Sequence, residues 1–308
     1  MKHTAKRHRA VHPSGAGFET IRLAGETDGP HLLVTAGVHG SEYPGILACR
    51  RVLQRLEGKR IRGRLTLVPL CNEGAFYGFS RFVSPEDGVN LNRAFPAAKG
   101  DTHTYGLASL LEDLFSDGVD FFLDLHSGDT SEWAMDFAYI PYLGEREAVR
   151  SRAEAAVTAL GLSAWTHSHS QAGAINRAAG MGIPSILAER GGQGRWSEAQ
   201  VEGYVRDILS LMSHLDMLDE PTLSSAPIHI PKVSYIEAPS RGFWFLEGEP
   251  GRILRAGDRL GLLETLEGEV LLEVRAPSDG MVLYGTTGAG VSQGDPLVAF
   301  GCLPSEGR

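Results

Sequence analysis

Val34-Thr-Ala-Gly-Val-His-Gly-Ser-Glu42 is where the chain declares its architecture. It reads as a buried strand, the apolar run His31 to Val38, breaking into a glycine-containing turn. Tyr43 to Gln54 then reads as a helix, with Pro44 tolerated in its first turn. His39 leaves the strand end and Glu42 sits at the helix start, so both can face one point. A second apolar run, Val119 to Leu123, ends in Asp124-Leu-His126-Ser-Gly128. His39, Glu42 and His126 form a ligand set that leaves a fourth zinc position open for water. That set, placed at strand ends, is what metal-assisted hydrolysis needs. HxxE alone is a weak signal, because polar pairs three apart are common on helix surfaces. Residues two apart on a strand share a face, which can bring Asp124 beside His126. There it would orient the ligand; a surface or helix-capping carboxylate is the equal alternative.

The same strand-then-helix alternation continues to about Met217. Leu65 to Leu70, Phe121 to Leu125 and Ile183 to Ala188 read as strands. Tyr105 to Phe115, Arg146 to Leu160 and Glu198 to Met217 read as helices. This predicts an α/β domain over residues 1–222, a mixed central sheet flanked by helices. Active sites in such sheets gather at the C-terminal strand ends, where His39, His126 and Glu189 all fall.

Near Asp219-Glu-Pro-Thr-Leu-Ser-Ser-Ala-Pro227 the texture changes. Short apolar runs follow, separated by turns such as Gly257-Asp258, Ser278-Asp-Gly280 and Gly294-Asp-Pro296. They predict a small all-β domain over residues 232–308, similar to the barrel-sandwich fold of biotinyl and lipoyl carriers. Such carriers need an exposed lysine at a hairpin tip, and the last lysine here is Lys232. The expected work of this tail is therefore packing, oligomer contact or walling the active-site mouth.

With 308 residues, 42% of them hydrophobic, the chain can build one large domain and a small one. A net charge of −9 argues against nucleic acid or an anionic membrane as the main partner. No apolar run approaches membrane-spanning length. The basic start, Lys2 to Arg9, lacks the apolar core of a signal peptide and is expected to be a solvated tail. Cys49, Cys71 and Cys302 form no CxxC pair and read as buried thiols. A reducing cytoplasm fits these features.

Hydrolysis also needs a base to activate water. Glu189 follows the strand-like run Pro184-Ser-Ile-Leu-Ala and precedes Gly191-Gly192, which sets it over the strand ends. Partial burial would raise its pKa towards the working range; an ordinary loop salt bridge is the alternative. Positive charge for an oxyanion or a substrate carboxylate is offered by Arg93, with Asn92 beside it in Gly88-Val-Asn-Leu-Asn-Arg-Ala-Phe-Pro96, and by Arg81 just upstream. Gly290-Val-Ser-Gln-Gly294 matches a nucleophile elbow, but no histidine follows Ser292 and the stretch sits in the all-β tail. The glycines from Gly285 to Gly294 do not make a dinucleotide fingerprint before a helix. His167 and His169 are expected on a mobile, solvated loop over the site rather than as metal ligands.

Gly37-Val-His-Gly-Ser-Glu42, Asn90-Leu-Asn-Arg-Ala-Phe-Pro96, Asp124-Leu-His-Ser-Gly128 and Glu189-Arg-Gly-Gly192 together resemble the succinylglutamate desuccinylase/aspartoacylase family of carboxypeptidase A-like zinc hydrolases. The resemblance runs from about Gly29 to Gly194, and the tail is also similar to many bacterial members. It implies one zinc per chain on His39, Glu42 and His126, with Glu189 as general base and then acid. It further implies that Asn92 and Arg93 hold a substrate carboxylate and that Arg81 polarises the scissile carbonyl. Members remove acyl groups from amino acids or related amines. The expected activity is thus zinc-dependent deacylation of a small N-acylated amino acid or diamine, with a homo-oligomer compatible with it. The rivals are a metallocarboxypeptidase acting on peptides and a non-catalytic metal- or ligand-binding protein. An intact Glu189 argues against the latter, since a purely structural zinc fills all four positions with protein.

Overall fold

A computed structural model describes residues 5–303. Strands β1 (Lys6–Val11), β2 (Gly17–Ala24), β3 (Thr27–Ala36), β4 (Arg62–Val68), β5 (Phe121–His126), β6 (Glu132–Pro141), β7 (Ala164–Ser168) and β8 (Ser185–Gly192) build the first part of the sheet. Helices α1 (Tyr43–Arg55), α2 (Glu73–Tyr77), α3 (His103–Phe115), α4 (Glu147–Ala156), α5 (Ala174–Gly180) and α6 (Glu198–His214) pack around it. The strand order is β1-β2-β4-β3-β5-β8-β6. The centre, β4-β3-β5-β8, is parallel, and both flanks are antiparallel. Parallel strands are covered on both faces, which is why β5 is buried from end to end. On β3, Leu32, Val34 and Ala36 point to the layer of α1 and α6, while Leu33 points to the layer of α3 and α5. A capping box closes the start of α6: Ser197 Oγ accepts from the Gln200 N–H, and Gln200 Oε1 accepts from the Ser197 N–H.

The α/β alternation expected from the sequence is present, with three local differences. Residues Lys6 to Arg9 are not a solvated tail. They lie in β1, which pairs antiparallel with β2 as an exposed edge strand. Its charge is what protects such an edge from pairing with another chain, and Arg9 is held by both oxygens of Glu73 at 2.8 and 2.9 Å. Lys2 to Thr4 lie outside the described residues. The helix expected to Leu160 ends at Ala156 and tightens into a 3₁₀ turn, Val157–Ala159. His167 is not on a loop but in β7, which pairs with β6, whereas His169 lies in the irregular segment just past the end of that strand.

After the largely exposed link 219–227 come β9 (Ile228–Ile230), β10 (Lys232–Glu237), β11 (Gly242–Leu246), β12 (Ile253–Leu254), β13 (Arg259–Glu264), β14 (Val270–Arg275), β15 (Gly280–Thr286), β16 (Gly290–Val291) and β17 (Pro296–Cys302). β14-β13-β11-β16 form a separate antiparallel sheet. It packs through Trp244, Leu260 and Leu263 onto Val282, Leu297 and Phe300. The other tail strands extend the main sheet: β15 pairs with β6, then β17 and β10 follow. A mixed core seals the join, with Ala134, Phe137 and Ala164 against Ile230, Met281, Leu283 and Ala299. Cys49 and Cys71 are buried thiols, and Cys302 is half-buried. No helix among the described residues is long and apolar enough to cross a membrane.

Candidate active site

The end of β3 turns into α1 through two glycines that no other residue could replace easily. Gly37 has φ +65°, a left-handed conformation. A Cβ on Gly40 would fall 2.2 Å from the Ala75 carbonyl carbon, inside the backbone of α2. This tight passage turns His39 back towards the sheet and sets Glu42 immediately before α1. From β5, His126 points to the same spot. One oxygen of Glu42 lies 2.6 Å from His39 Nδ1 and the other 2.8 Å from His126 Nδ1. Candidate ligand atoms from all three residues lie within 4.8 Å of one another.

The remaining ring nitrogens are already committed. His126 Nε2 donates to Asp124 Oδ2 at 3.0 Å, and Thr35 Oγ1 donates to Asp124 Oδ1 at 2.5 Å. His39 Nε2 donates to Asn90 Oδ1 at 3.2 Å. Both Nδ1 atoms are thereby left for a ligand to share with Glu42, the arrangement that fixes imidazole tautomers at metal centres. Asp124 thus takes the orienting role, not that of a surface carboxylate. Burial alone would keep Glu42 protonated, but His39 and His126 outweigh it and bring its pKa to about 2. Burial disfavours the His126 imidazolium, yet Asp124 and Glu42 prevail and hold its pKa well above the usual value. The donor chemistry, two imidazoles and a carboxylate, fits zinc.

Glu189 sits on β8 directly beside His126 on β5 in the parallel register. Its Oε2 is buried without a hydrogen-bond partner. Burial pushes its carboxyl well above the ordinary range; His126 opposes this, while Glu42, Glu132 and Asp124 add to it. Beneath the two strand ends, the buried Tyr204 hydroxyl of α6 lies 2.6 Å from the His126 carbonyl and 2.9 Å from that of Ala188. Arg190, next in β8, is buried and paired with Asp136 at 2.7 Å and Asp207 at 2.8 Å.

These groups open onto a cavity of about 810 Å³, which Arg81, Asn92 and Arg93 also line. Arg81 Nε donates to Asp129 Oδ2 at 2.5 Å. Asn92 is buried and accepts the Ala174 N–H at 3.0 Å, tying its turn to the start of α5. Arg93 is exposed at the rim. His167 and His169 line the cavity too. They are not part of the trio of candidate ligands, and His167 Nε2 is bonded to Glu154 at 2.8 Å.

Sequence reasoning missed Asp129, Glu132, Tyr139, Tyr235 and Tyr284 in the cavity wall. Asp129 was discoverable, lying three residues after His126. Glu132, Tyr235 and Tyr284 meet only through the β6–β15–β17–β10 ladder, which no local pattern announces. Burial, with Asp129 and Glu42 adding to it and Arg81 opposing, pushes the Glu132 carboxyl up to about 8.

Comparison with known proteins identifies the family and the fold. The sequence model of a family described as the succinylglutamate desuccinylase/aspartoacylase catalytic domain matches residues 28–215. The N-alpha-acetyl-L-2,4-diaminobutyric acid deacetylase of Halomonas elongata is 28% identical over 298 residues, covering 93% of this chain and 86% of that protein. A succinylglutamate desuccinylase/aspartoacylase structure from Rhodobacter sphaeroides superposes with a TM-score of 0.85 at 25% identity, covering 97% of this chain and 94% of that one. The product-bound ectoine utilization protein EutE (DoeB) from Ruegeria pomeroyi superposes equally well, at 0.85 with 22% identity, over 98% and 95% of the two chains, and shows the shared fold.

Proposed function

The chain belongs to the succinylglutamate desuccinylase/aspartoacylase family, and from that premise we propose that it is a zinc-dependent amidohydrolase removing the acyl group from a small N-acylated amino acid or diamine. The observation that carries this is the convergence of His39, Glu42 and His126 on one point, with Glu189 on the adjacent strand end. Zinc held there supplies the positive charge that polarises an amide carbonyl and acidifies water. Glu189 binds a proton more firmly than an ordinary carboxylate. That suits a group which must take a proton from water and return it to the leaving nitrogen. Arg81 stands in the wall to share charge building on the carbonyl oxygen. Asn92 from the buried wall and Arg93 at the rim hold a substrate carboxylate.

The tail favours a small substrate over a polypeptide, because Tyr235, Tyr284 and Val298 wall one side of the cavity. The direct test is amine release from N-acetyl, N-succinyl and N-formyl amino acids and diamines, with zinc present and with it chelated. Release from at least one of them that stops on chelation and returns with zinc supports the reading. Turnover indifferent to chelation defeats the metal assignment, and cleavage of peptides alone favours a carboxypeptidase.

A further inference from the structure

β14 ends the smaller sheet, and among the described residues only β13 pairs with it. An uncovered strand edge is a template for another strand, and natural edges are guarded by charge, proline or shortness. At one end of the main sheet, β1 is guarded by Lys6, Arg7, His8 and Arg9. The first half of β14 is instead Val270-Leu-Leu272, with Val270 58% and Leu271 43% exposed.

The backbone of the second half is laid out for pairing. The Ala276 N–H donates to the Asp258 carbonyl, and the Ala276 carbonyl accepts the Gly257 N–H. Both groups of Ala276 therefore face the β13 side. Peptide groups alternate in direction along a strand. Those of Val274 and Leu272 thus also face β13, where they lie opposite Gly261 and Leu263. Those of Glu273 and Arg275 point out of the sheet edge. The two side chains are exposed on one face, and Arg275 is bonded to Glu273.

A second β14, running antiparallel about a twofold axis at Val274, answers all of these groups. Glu273 of each copy lies opposite Arg275 of the other, and their peptide groups exchange hydrogen bonds on both sides of the axis. Opposite charges facing one another across strands add to such a pair. Other registers fail. An axis at Glu273 sets two glutamates against each other, and one at Arg275 sets two arginines. An axis at Leu272 runs into the irregularity at Leu271, which the β13 ladder skips between the pairs Leu263–Leu272 and Glu264–Val270. An axis between two residues sets outward peptide groups against inward ones. Pro277, without an N–H, stops the ladder at the other end.

We propose that β14 is a self-association edge, on which a second copy of this chain pairs antiparallel about Val274 and joins the two four-stranded sheets into one. The edge is self-complementary, as a twofold contact requires. No residue of β14 lines the cavity, so each copy keeps its own site.

Light scattering over a concentration series, up to the highest soluble concentration, tests this. The parent should reach about twice the mass of either charge-reversed variant, Glu273→Arg or Arg275→Glu, because each reversal sets like charges opposite one another on both sides of the axis. Both side chains are exposed, so each variant should fold as the parent does, with an unchanged far-UV circular dichroism spectrum. Mixed in equal amounts, the two variants should return to the parent's mass, since the arginines of one then face the glutamates of the other. The chain carrying both substitutions should do the same alone. A parent that stays at the monomer mass, a mass that neither reversal lowers, or a mixture that stays at the mass of its components would overturn the proposal.

Discussion

Glu189 is the residue on which turnover and metal binding can be told apart. It neighbours His126 across the β5–β8 ladder but is outside the trio that meets at Glu42. Glu189→Gln keeps shape and removes the proton acceptor. The expected outcome is a fall in kcat of at least about 10²-fold with zinc content unchanged. His126→Ala should instead lose the metal. Zinc stoichiometry and amide hydrolysis measured on the same preparations check both, and a Glu189→Gln protein as fast as its parent would refute the base assignment. His31 offers a second residue-level prediction. Its Nε2 accepts from Thr66 Oγ1 at 2.9 Å and its Nδ1 lies 3.2 Å from the Asp117 carbonyl, so the ring is buried neutral. Burial, helped by Arg64, lowers its pKa. The unfolded chain, with a histidine pKa of about 6.5, takes up the proton first as pH falls. The stability contributed by neutral His31 is thus present above about 6.5 and lost as pH drops through the lower folded value. Denaturant midpoints from pH 7.5 to 5 should fall for the parent and fall less for His31→Gln. At this scale the sequence was legible where function sits on short spacings. His39 with Glu42, and Asp124 with His126, are each bound by one turn or one strand. Glu132 was opaque, because it reaches the cavity wall through the pairing of β6 with β15, two strands about half the chain apart.

Helix α6 acts on the site without touching the cavity. Its Tyr204 hydroxyl spans two carbonyls, of His126 and of Ala188, at the point where β5 and β8 present His126 and Glu189. Tyr204→Phe leaves both carbonyls buried without that donor, at a cost of about 1–3 kcal/mol. The expected result is a lower denaturant midpoint with a kcat reduced more than KM is raised, since the spacing of Glu189 from the metal would loosen. Zinc should be retained. An unchanged kcat would show that the strand ends hold their spacing alone. α1, α3, α6, β3 and β5 could be read in the sequence because each is a long run of one periodicity. β1 and β6 could not. The first is a charged edge strand, and the second, Glu132–Pro141, mixes polar and apolar residues because it has β8 on one side and both β7 and β15 on the other.

For the whole molecule, the question is what the tail is for. The change of texture near Asp219 marks where the all-β region starts, but composition does not show that β15 adds to the main sheet. Deleting residues from Lys232 onward should leave His39, Glu42 and His126 in place. It would also uncover Ala134, Phe137 and Ala164 on the join and remove Tyr235 and Tyr284 from the cavity wall. Lower solubility or a changed mass in solution, together with reduced deacylation, is therefore expected. A truncated protein with unchanged mass and full activity would show the tail to be dispensable.

The link 219–227 is docked on the α/β part at points such as Leu223 N–H on Ser210 Oγ at 2.7 Å and Ser225 N–H on the Thr158 carbonyl at 2.9 Å, while the β6–β15 ladder and the mixed core beneath it join the tail strands to the sheet. Covalent continuity at that point should then be dispensable. Two separately encoded fragments, one ending at Thr222 and the other beginning at Leu223, should assemble when made in the same cell and copurify through a tag on either piece. Failure to copurify would mean that the ladder forms only when the link keeps the two halves close. Success would make this a natural seam for splitting the protein into a two-part reporter, with the tyrosine wall delivered by one piece and the histidines by the other.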